Sequence, residues 1–482
     1  MAARQLTATL LLLVQLLLPT VAAAASWMVV PRFDADCSRS AAKKSTEKTL
    51  AACEAAATKA KHTVFSWNQN SHHCFTTNCK KFGGGANDHV TSGCLPTVPG
   101  CAAKPPGPAP PPPPGPPTPA PPPAHFDGVI RDAGDGSFEA HLIPPFKSNH
   151  AATIEQLPDG TLTLAWFSGA AEEANDCSIV FASLPPNGTA WSAARNVSGR
   201  WGYSNQNPVL FFDTFKRVLH LFHSQAPAKS GESTAQIWHL ASPDSGAHFS
   251  APAAFFTEPG DFPRNRIVPR KDGSVLFPYY SQGKGHPNLS VMRWSDAART
   301  GLANPKAWTA SQVKASDDLV QPSVVRTRNG TAFRAFFRDR RAAHIYTALS
   351  TDEGEHWTAP TKTSLPNNNA GIEAFTLSNG HIVLVFNDCA KCVGGRTPLT
   401  IAMSMDDGAT WHKRPLQVKD DPTAVAVAAG GSEIVQKGVE FSYPTVLQTP
   451  DGAIHVAYTY DRKCIKYRRF TEAWITAAFS DA

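Results

Sequence analysis

Ser350-Thr-Asp-Glu-Gly-Glu-His-Trp357 reads as a turn that closes on itself. The aspartate side chain accepts hydrogen bonds from backbone N–H groups of its own turn, and the glycine takes the positive φ that such a turn needs. The tryptophan that follows is free to pack inward. The same pattern, S-x-D-x-G-x-x-(W/F), stands at Ser242–Phe249 (SPDSGAHF) and Ser404–Trp411 (SMDDGATW). The copies are separated by about 54 residues or twice that distance. At the skipped place stands Ser295-Asp296, with Trp308 after a longer turn, and a degenerate earlier copy runs from Ser183 to Trp191. Copies in phase mark a repeated supersecondary unit, and the motif itself is a fold staple rather than a reacting group.

A second repeat runs in counterpoint. Asp159-Gly160, Asp272-Gly273, Asn329-Gly330, Asn379-Gly380 and Asp451-Gly452 each separate two apolar runs, which is a hairpin signal. A weaker sixth unit spans Phe212 to Phe222, with Phe215-Lys216 at its turn. Six units from residue 125 to the end give about 60 residues each, the size of a four-stranded blade. The expected fold is all-β: a six-bladed propeller over 125–482.

Three other regions precede it. Arg4, the apolar run Leu11 to Leu18 and the small residues Ala22 to Ala25 read as a signal peptide over 1–25. Gln15 interrupts a run already too short to span a bilayer, so no membrane span is expected and the protein is expected outside the cell. Cys37, Cys53, Cys74, Cys79, Cys94 and Cys101 fall within 27–101, the density of a disulfide-stapled module. Thr46 to Lys61 has a helical pattern there, and Thr63 to Trp67 and His73 to Thr77 are strand-like. One helix on short strands held by cystines resembles a PAN/apple-like module. His72 and His73 beside Cys74 raise the question of a metal, but paired disulfides account for the cysteines and none is expected. Residues 102–124 are nearly all proline, glycine and alanine, a semi-rigid polyproline spacer.

The whole chain is 42% hydrophobic and 17% charged, with a formal charge of +6 and 41 prolines. No Lys/Arg-rich block suggests nucleic acid, whereas the mild positive charge suits an anionic glycan. Four N-x-S/T sequons begin at Asn187, Asn196, Asn288 and Asn329. The four remaining cysteines, Cys177, Cys389, Cys392 and Cys464, are expected to form cystines in an exported protein, with the pairing open. No cofactor is implied, and a monomer is expected.

In a propeller the first strand of each blade lines the axis, so the segments entering those strands converge. They are Ser148-Asn149-His150, Ser204-Asn205-Gln206-Asn207, Arg264-Asn265-Arg266, Asp318 to Gln321, Asn367 to Glu373 with Asn369, and Phe441-Ser442-Tyr443. A ring of hydrogen-bonding groups and arginines suits an anionic sugar.

The passages SNHAATIEQLPDGTLTLAWFSG, SNQNPVLFF, NNNAGIEAF, RTPLTIAMSMDDGATW and FSYPTVLQTPDGAIHVAYTYDR resemble the sialidase superfamily with BNR/Asp-box repeats. That resemblance implies a tyrosine nucleophile paired with a glutamate, an aspartate acid/base, and three arginines on the substrate carboxylate. A neutral phenol suits a centre whose carboxylate would repel an anionic nucleophile. By position, Glu373 and Tyr443 match the pair, Arg396 and Arg338 match substrate-binding arginines, and Glu173 and Asp176 stand where the acid/base belongs. The family's Arg-Ile-Pro motif is replaced by Asn149-His150-Ala151-Ala152, so that one of the three arginines is either missing or supplied elsewhere, by Arg264 or Arg266. Two other functions fit the same residues. One is β-elimination on a uronate polysaccharide, with His150 or Tyr443 taking the proton and Arg266 and Asn207 steadying the anion. The other is glycan binding without catalysis.

Overall fold

In a computed structural model the described residues are 126–199, 201–282, 287–296, 302, 304–390, 395–417 and 440–479, with the strands Met28–Phe33, Lys43–Thr46, Val64–Asn68, His73–Thr77 and Ala86–Cys94. The chain divides into two compact units, 1–118 and 119–482. In the first, the five strands form one sheet in the spatial order Met28–Phe33, Ala86–Cys94, Val64–Asn68, His73–Thr77, Lys43–Thr46. The two strands expected from sequence are the antiparallel pair Val64–Asn68 and His73–Thr77. The helix expected beyond Thr46, the signal peptide and the proline-rich spacer lie outside the described residues.

The second unit is a six-bladed β-propeller. Blades 1 to 6 begin with the inner strands Ser148–Gln156, Tyr203–Asp213, Asp261–Pro263, Leu319–Arg326, Glu373–Thr376 and Phe441–Gln448. Each expected D/N-G pair joins an inner strand to the second strand, with φ between 70° and 88° at Gly160, Gly273, Gly330, Gly380 and Gly452. The turn aspartate or asparagine accepts the N–H two residues on, as Asp159 does from Thr161 at 2.9 Å and Asn379 from His381 at 3.0 Å. Blade 2 uses Asp213 to Val218 instead, with Arg217 at φ 53°.

The S-x-D-x-G turns join third and fourth strands in blades 2, 4 and 5. Their chemistry repeats atom for atom. Ser350 Oγ donates to Asp352 at 2.8 Å, Gly354 N donates to Ser350 Oγ at 2.9 Å, and His356 N donates to Asp352 at 2.9 Å. Ser242/Asp244 and Ser404/Asp406 do the same. The aromatic residue packs on the preceding blade: Phe249 meets Phe181 edge-on at 5.2 Å, and Trp411 meets Phe336 at 5.6 Å. The turns therefore staple neighbouring blades.

Blade 6 is completed from the other end of the propeller. Phe138–His141 pairs with Cys464–Phe470, matching Phe138 to Arg469 and His141 to Lys466. This long-range strand closes the ring and leaves no gap between first and last blades. Cys389 is disulfide-bonded. Cys177 and Cys464, expected as cystines, are instead free thiols buried in blades 1 and 6. Cys177 Sγ has a partner of its own, the Asn205 carbonyl at 3.3 Å. Burial pushes the Cys177 thiol up to about 12. No helix among the described residues is long and apolar enough to cross a membrane.

Candidate active site at the propeller mouth

Four inner strands carry the same irregularity. The register slips by one residue between His150 and Thr153, Gln206 and Val209, Val320 and Ser323, and Ser442 and Thr445. Each bulge places a non-glycine residue in the left-handed region: Ala151 (φ 59°), Asn207 (48°), Gln321 (51°) and Tyr443 (51°). Pro208, Pro322 and Pro444 follow three of them. Proline has no N–H to donate, so it sits without loss where a bulge interrupts the ladder. Left-handed φ at a side chain as bulky as tyrosine costs about 1–2 kcal/mol, and bulges of this kind re-aim side chains beside functional sites.

Blade 3 departs from the ring. Its inner strand is broken between Pro263 and Val268, and Arg264-Asn265-Arg266 runs through the axis. The bulges free carbonyl groups, and these residues take them up. Arg264 donates to Ala152 O at 3.1 Å and Pro444 O at 2.8 Å, Asn265 to Gln321 O at 2.8 Å, and Arg266 to Val446 O at 2.8 Å. One tripeptide thus ties blades 1, 4 and 6 together. It occupies Arg264 and Arg266, the two candidates for the arginine that the first blade lacks.

Tyr443 is buried at the centre of the remaining polar groups. Its hydroxyl lies 2.5 Å from Arg338 Nη1. Arg338 also donates to Asn369 Oδ1 at 2.9 Å and Gln321 Oε1 at 3.1 Å, so its guanidinium is fixed. The Arg396 guanidinium carbon is 5.1 Å from the Tyr443 ring centre and that of Arg264 5.4 Å. On another side the His150 ring lies at 4.1 Å. Burial alone would raise the Tyr443 phenol, but Arg338 and Arg396 outweigh it and hold it below its usual value. Burial, followed by the charges of Arg462, Arg396, Arg264 and Arg338, keeps His150 neutral well below the usual histidine range. His150 Nδ1 pairs with Thr459 Oγ1 at 2.8 Å, and its buried Nε2 has no partner among the described residues.

Glu373 and Tyr443 do not hydrogen-bond each other. The Glu373 carboxylate accepts Val446 N at 2.8 Å and Arg266 Nε at 3.3 Å, deeper along the axis. The residue of blade 5 against the tyrosine is Gly371, where an added Cβ would stand 3.1 Å from Tyr443 Cγ. Asn149 and Asn205 are consumed within the scaffold: Asn149 Oδ1 accepts Trp166 Nε1 and Ser168 Oγ, and Asn205 bridges Gln225 and Cys177 O. Asn207, at its bulge, makes no side-chain hydrogen bond among the described residues. Asp176 accepts Ala170 N at 3.1 Å and holds its own turn. Glu173 is exposed at φ 62° and lines a small pocket with Ser204, Gln206 and Glu232.

A second tier was not singled out by sequence. Glu440 binds Arg396 Nη1 and Arg462 Nε, each at 2.8 Å, and accepts Ser442 Oγ at 2.6 Å. Arg462 also pairs with Glu172 at 2.9 Å, and Arg340 pairs with Glu232. Burial raises the Glu440 carboxyl, but the two arginines lower it more. Arg340 could have been found, because it stands two residues after Arg338, in the turn that follows Phe333–Asp339. Glu440 and Arg462 carry no such pattern. Among the described residues no cluster of His, Cys, Asp or Glu could hold a metal. The arrangement is a buried phenol whose ionised form is favoured by a shell of guanidinium groups, and such a shell suits a carboxylate-bearing ligand.

The family model of the BNR repeat-like domain matches residues 160–456. Three solved structures share the propeller. A Dyadobacter fermentans protein of unknown function is 16% identical, covering 71% of this chain and 98% of its own, with a TM-score of 0.54. The intramolecular trans-sialidase of Ruminococcus gnavus is 13% identical, covering 70% and 97%, with a TM-score of 0.54. The Hadza microbial sialidase Hz136 is 12% identical, covering 93% of each chain, with a TM-score of 0.56. No curated protein matches the sequence.

Proposed function

Because this chain belongs to the BNR repeat-like domain family, we propose that it is a glycan-active enzyme that removes a terminal carboxylate-bearing sugar, with Tyr443 as nucleophile. The observation that carries this reading is the buried Tyr443 phenol, lowered by Arg338 and Arg396. The structural likeness to sialidases supports the same class. The sugar carboxylate lies against the Arg396 and Arg338 side of the mouth. Tyr443 reacts as the phenolate, its proton lost to solvent beforehand; its Oη bonds to the anomeric carbon, the bond to the leaving oxygen breaks, and that oxygen takes a proton from Glu173. Water then attacks the glycosyl-tyrosine, giving its proton to Glu173 and releasing the phenolate. The arginines stabilise the phenolate, where the glutamate of a tyrosine–glutamate pair would accept the phenol's proton, and their charge offsets the repulsion between phenolate and sugar carboxylate. Export from the cell belongs to the same proposal, supported by the Arg4 and Leu11 to Leu18 leader.

A specific observation favours a second reading, β-elimination on a uronate. Tyr443 bonds Arg338 rather than Glu373, and neutral His150 lies against it. There the Tyr443 phenolate takes the proton beside the carboxylate, the β C–O bond breaks, a C=C bond forms, and the Tyr443 phenol passes that proton to the leaving oxygen.

Incubation with a sialoside reporter and with polyuronates separates the two. Released sialic acid, lost in Tyr443→Phe, is the expected result. Absorbance of unsaturated uronate would replace hydrolysis by elimination. Glycan binding with neither product, unchanged in Tyr443→Phe, would overturn both.

A further inference from the structure

The inner strands run from the mouth to the opposite end of the axis, and a second cavity opens there. It measures about 430 Å³, and its wall includes Glu155, Phe211, Phe212, Arg266, Arg326 and Phe375. These residues stand toward the far ends of strands whose near ends carry His150, Gln206 and Gln321. The axial tripeptide divides the two ends, since Arg264 lies by Tyr443 while Arg266 lines the far cavity.

The charges of this wall are unequal in their freedom. Arg326 makes two hydrogen bonds of 2.9 Å to Glu353. Arg266 is engaged by Glu373 and Val446 O, and its guanidinium carbon sits 5.0 Å from the Phe375 ring centre. Glu155 forms no salt bridge among the described residues, and its carboxylate accepts the Gln156 N–H at 3.0 Å. Arg266 is near enough to act on Glu155 but bonds elsewhere, and a half-buried carboxylate with no salt bridge of its own, in a cavity with phenylalanine and aliphatic side chains in its wall, is complementary to an organic cation.

We propose that this far-end cavity is a second ligand site that takes an arylalkyl ammonium, its charge on Glu155 and its body against Phe211, Phe212 and Phe375. Burial pushes the Glu155 carboxyl up to about 7, against the lowering charge of Arg266, while Glu373 raises it further. The empty cavity therefore holds a proton near neutrality, and an ammonium group displaces it.

Calorimetry on the full chain with phenethylammonium tests this, with 2-phenylethanol as the uncharged probe. Saturable binding at pH 8 is expected, weaker by about tenfold at pH 6, where Glu155 holds its proton, and by at least about tenfold for Glu155→Gln or for the alcohol. Tyr443→Phe should bind as the unaltered chain does, which separates this site from the mouth. Equal binding of alcohol and ammonium, undiminished binding by Glu155→Gln, loss of binding in Tyr443→Phe, or no saturable binding would each overturn the proposal.

Discussion

Arg338→Met removes a guanidinium while keeping most of the side-chain volume, and its consequence can be followed at a single phenol. In the native protein Arg338 Nη1 lies 2.5 Å from the Tyr443 hydroxyl, and the residue is only 5% exposed. A hydrogen bond from a charged donor contributes about 1.5–3 kcal/mol. It acts on the phenolate far more than on the phenol, so its loss should lower the phenolate-to-phenol ratio by about tenfold to a hundredfold at any pH in the titration range. Arg396 remains, but burial opposes it, so Tyr443 in the variant should titrate clearly higher than in the native protein. The assay is a pH titration of phenolate absorbance in the native chain and in Arg338→Met. Subtracting the same titration of the Tyr443→Phe form of each isolates one of the eight tyrosines. Turnover should fall with the phenolate fraction and recover partly as pH is raised. A Tyr443 titration that stays in place when Arg338 is gone would refute the electrostatic account and remove the basis for a reactive phenol.

Tyr443→Phe should abolish product formation under either reaction while leaving the melting temperature nearly unchanged; retained turnover would exclude Tyr443 from the chemistry. Arg264→Met should cost about 2–5 kcal/mol in urea unfolding, because two buried carbonyls, Ala152 O and Pro444 O, lose their donor; a loss under about 0.5 kcal/mol, the scale of an ordinary surface substitution, would contradict the staple. Gly354→Ala should destabilise by about 1–3 kcal/mol, since φ is +92° and the added methyl would stand 2.7 Å from Leu276 Cδ2, and a thermal melt reads it. Burial lowers His220, His223 and His455 to about 4 and His239 to about 3. The unfolded chain binds these protons first, so stability is complete above about pH 6.5 and falls by about 1 kcal/mol per histidine per pH unit as pH drops toward 4. Glu155 and Asp261, raised by burial to about 7 and about 6, act in the opposite sense but are outnumbered. Urea unfolding from pH 7 to 4.5 should show a net loss, and a flat profile would refute it.

The blades are written in short-range pattern alone. A turn whose aspartate and serine side chains bond only within their own eight residues needs no distant partner, so Ser350 to Trp357 and its copies announce their geometry locally, as do the D/N-G hairpins. Six such units in one run leave a six-bladed ring as the economical way to bury every sheet face. The segments that begin the inner strands were legible for the same reason, and with them Tyr443, Asn369 and Gln321, which meet at the mouth with Arg338, a residue named only through the family resemblance.

What local pattern could not reach was where each polar side chain spends its hydrogen bonds. Asn149, Asn205 and Asp176 stand at the expected loops but are occupied within the scaffold. Arg264 and Arg266 look available in a linear string. Only the closed ring brings Ala152 O, Pro444 O and Val446 O, freed beside the bulges, within their reach. Glu373 follows Gly371 by two residues, and that offset directs its carboxylate down the axis to Arg266 and leaves a glycine against the tyrosine. Glu440 and Arg462 matter because they meet Arg396 and Glu172 across the mouth, and Phe138–His141 because it closes blade 6. Turn chemistry is fixed by neighbours in sequence, whereas the partner of a buried charge is fixed by which strands the closed ring sets side by side.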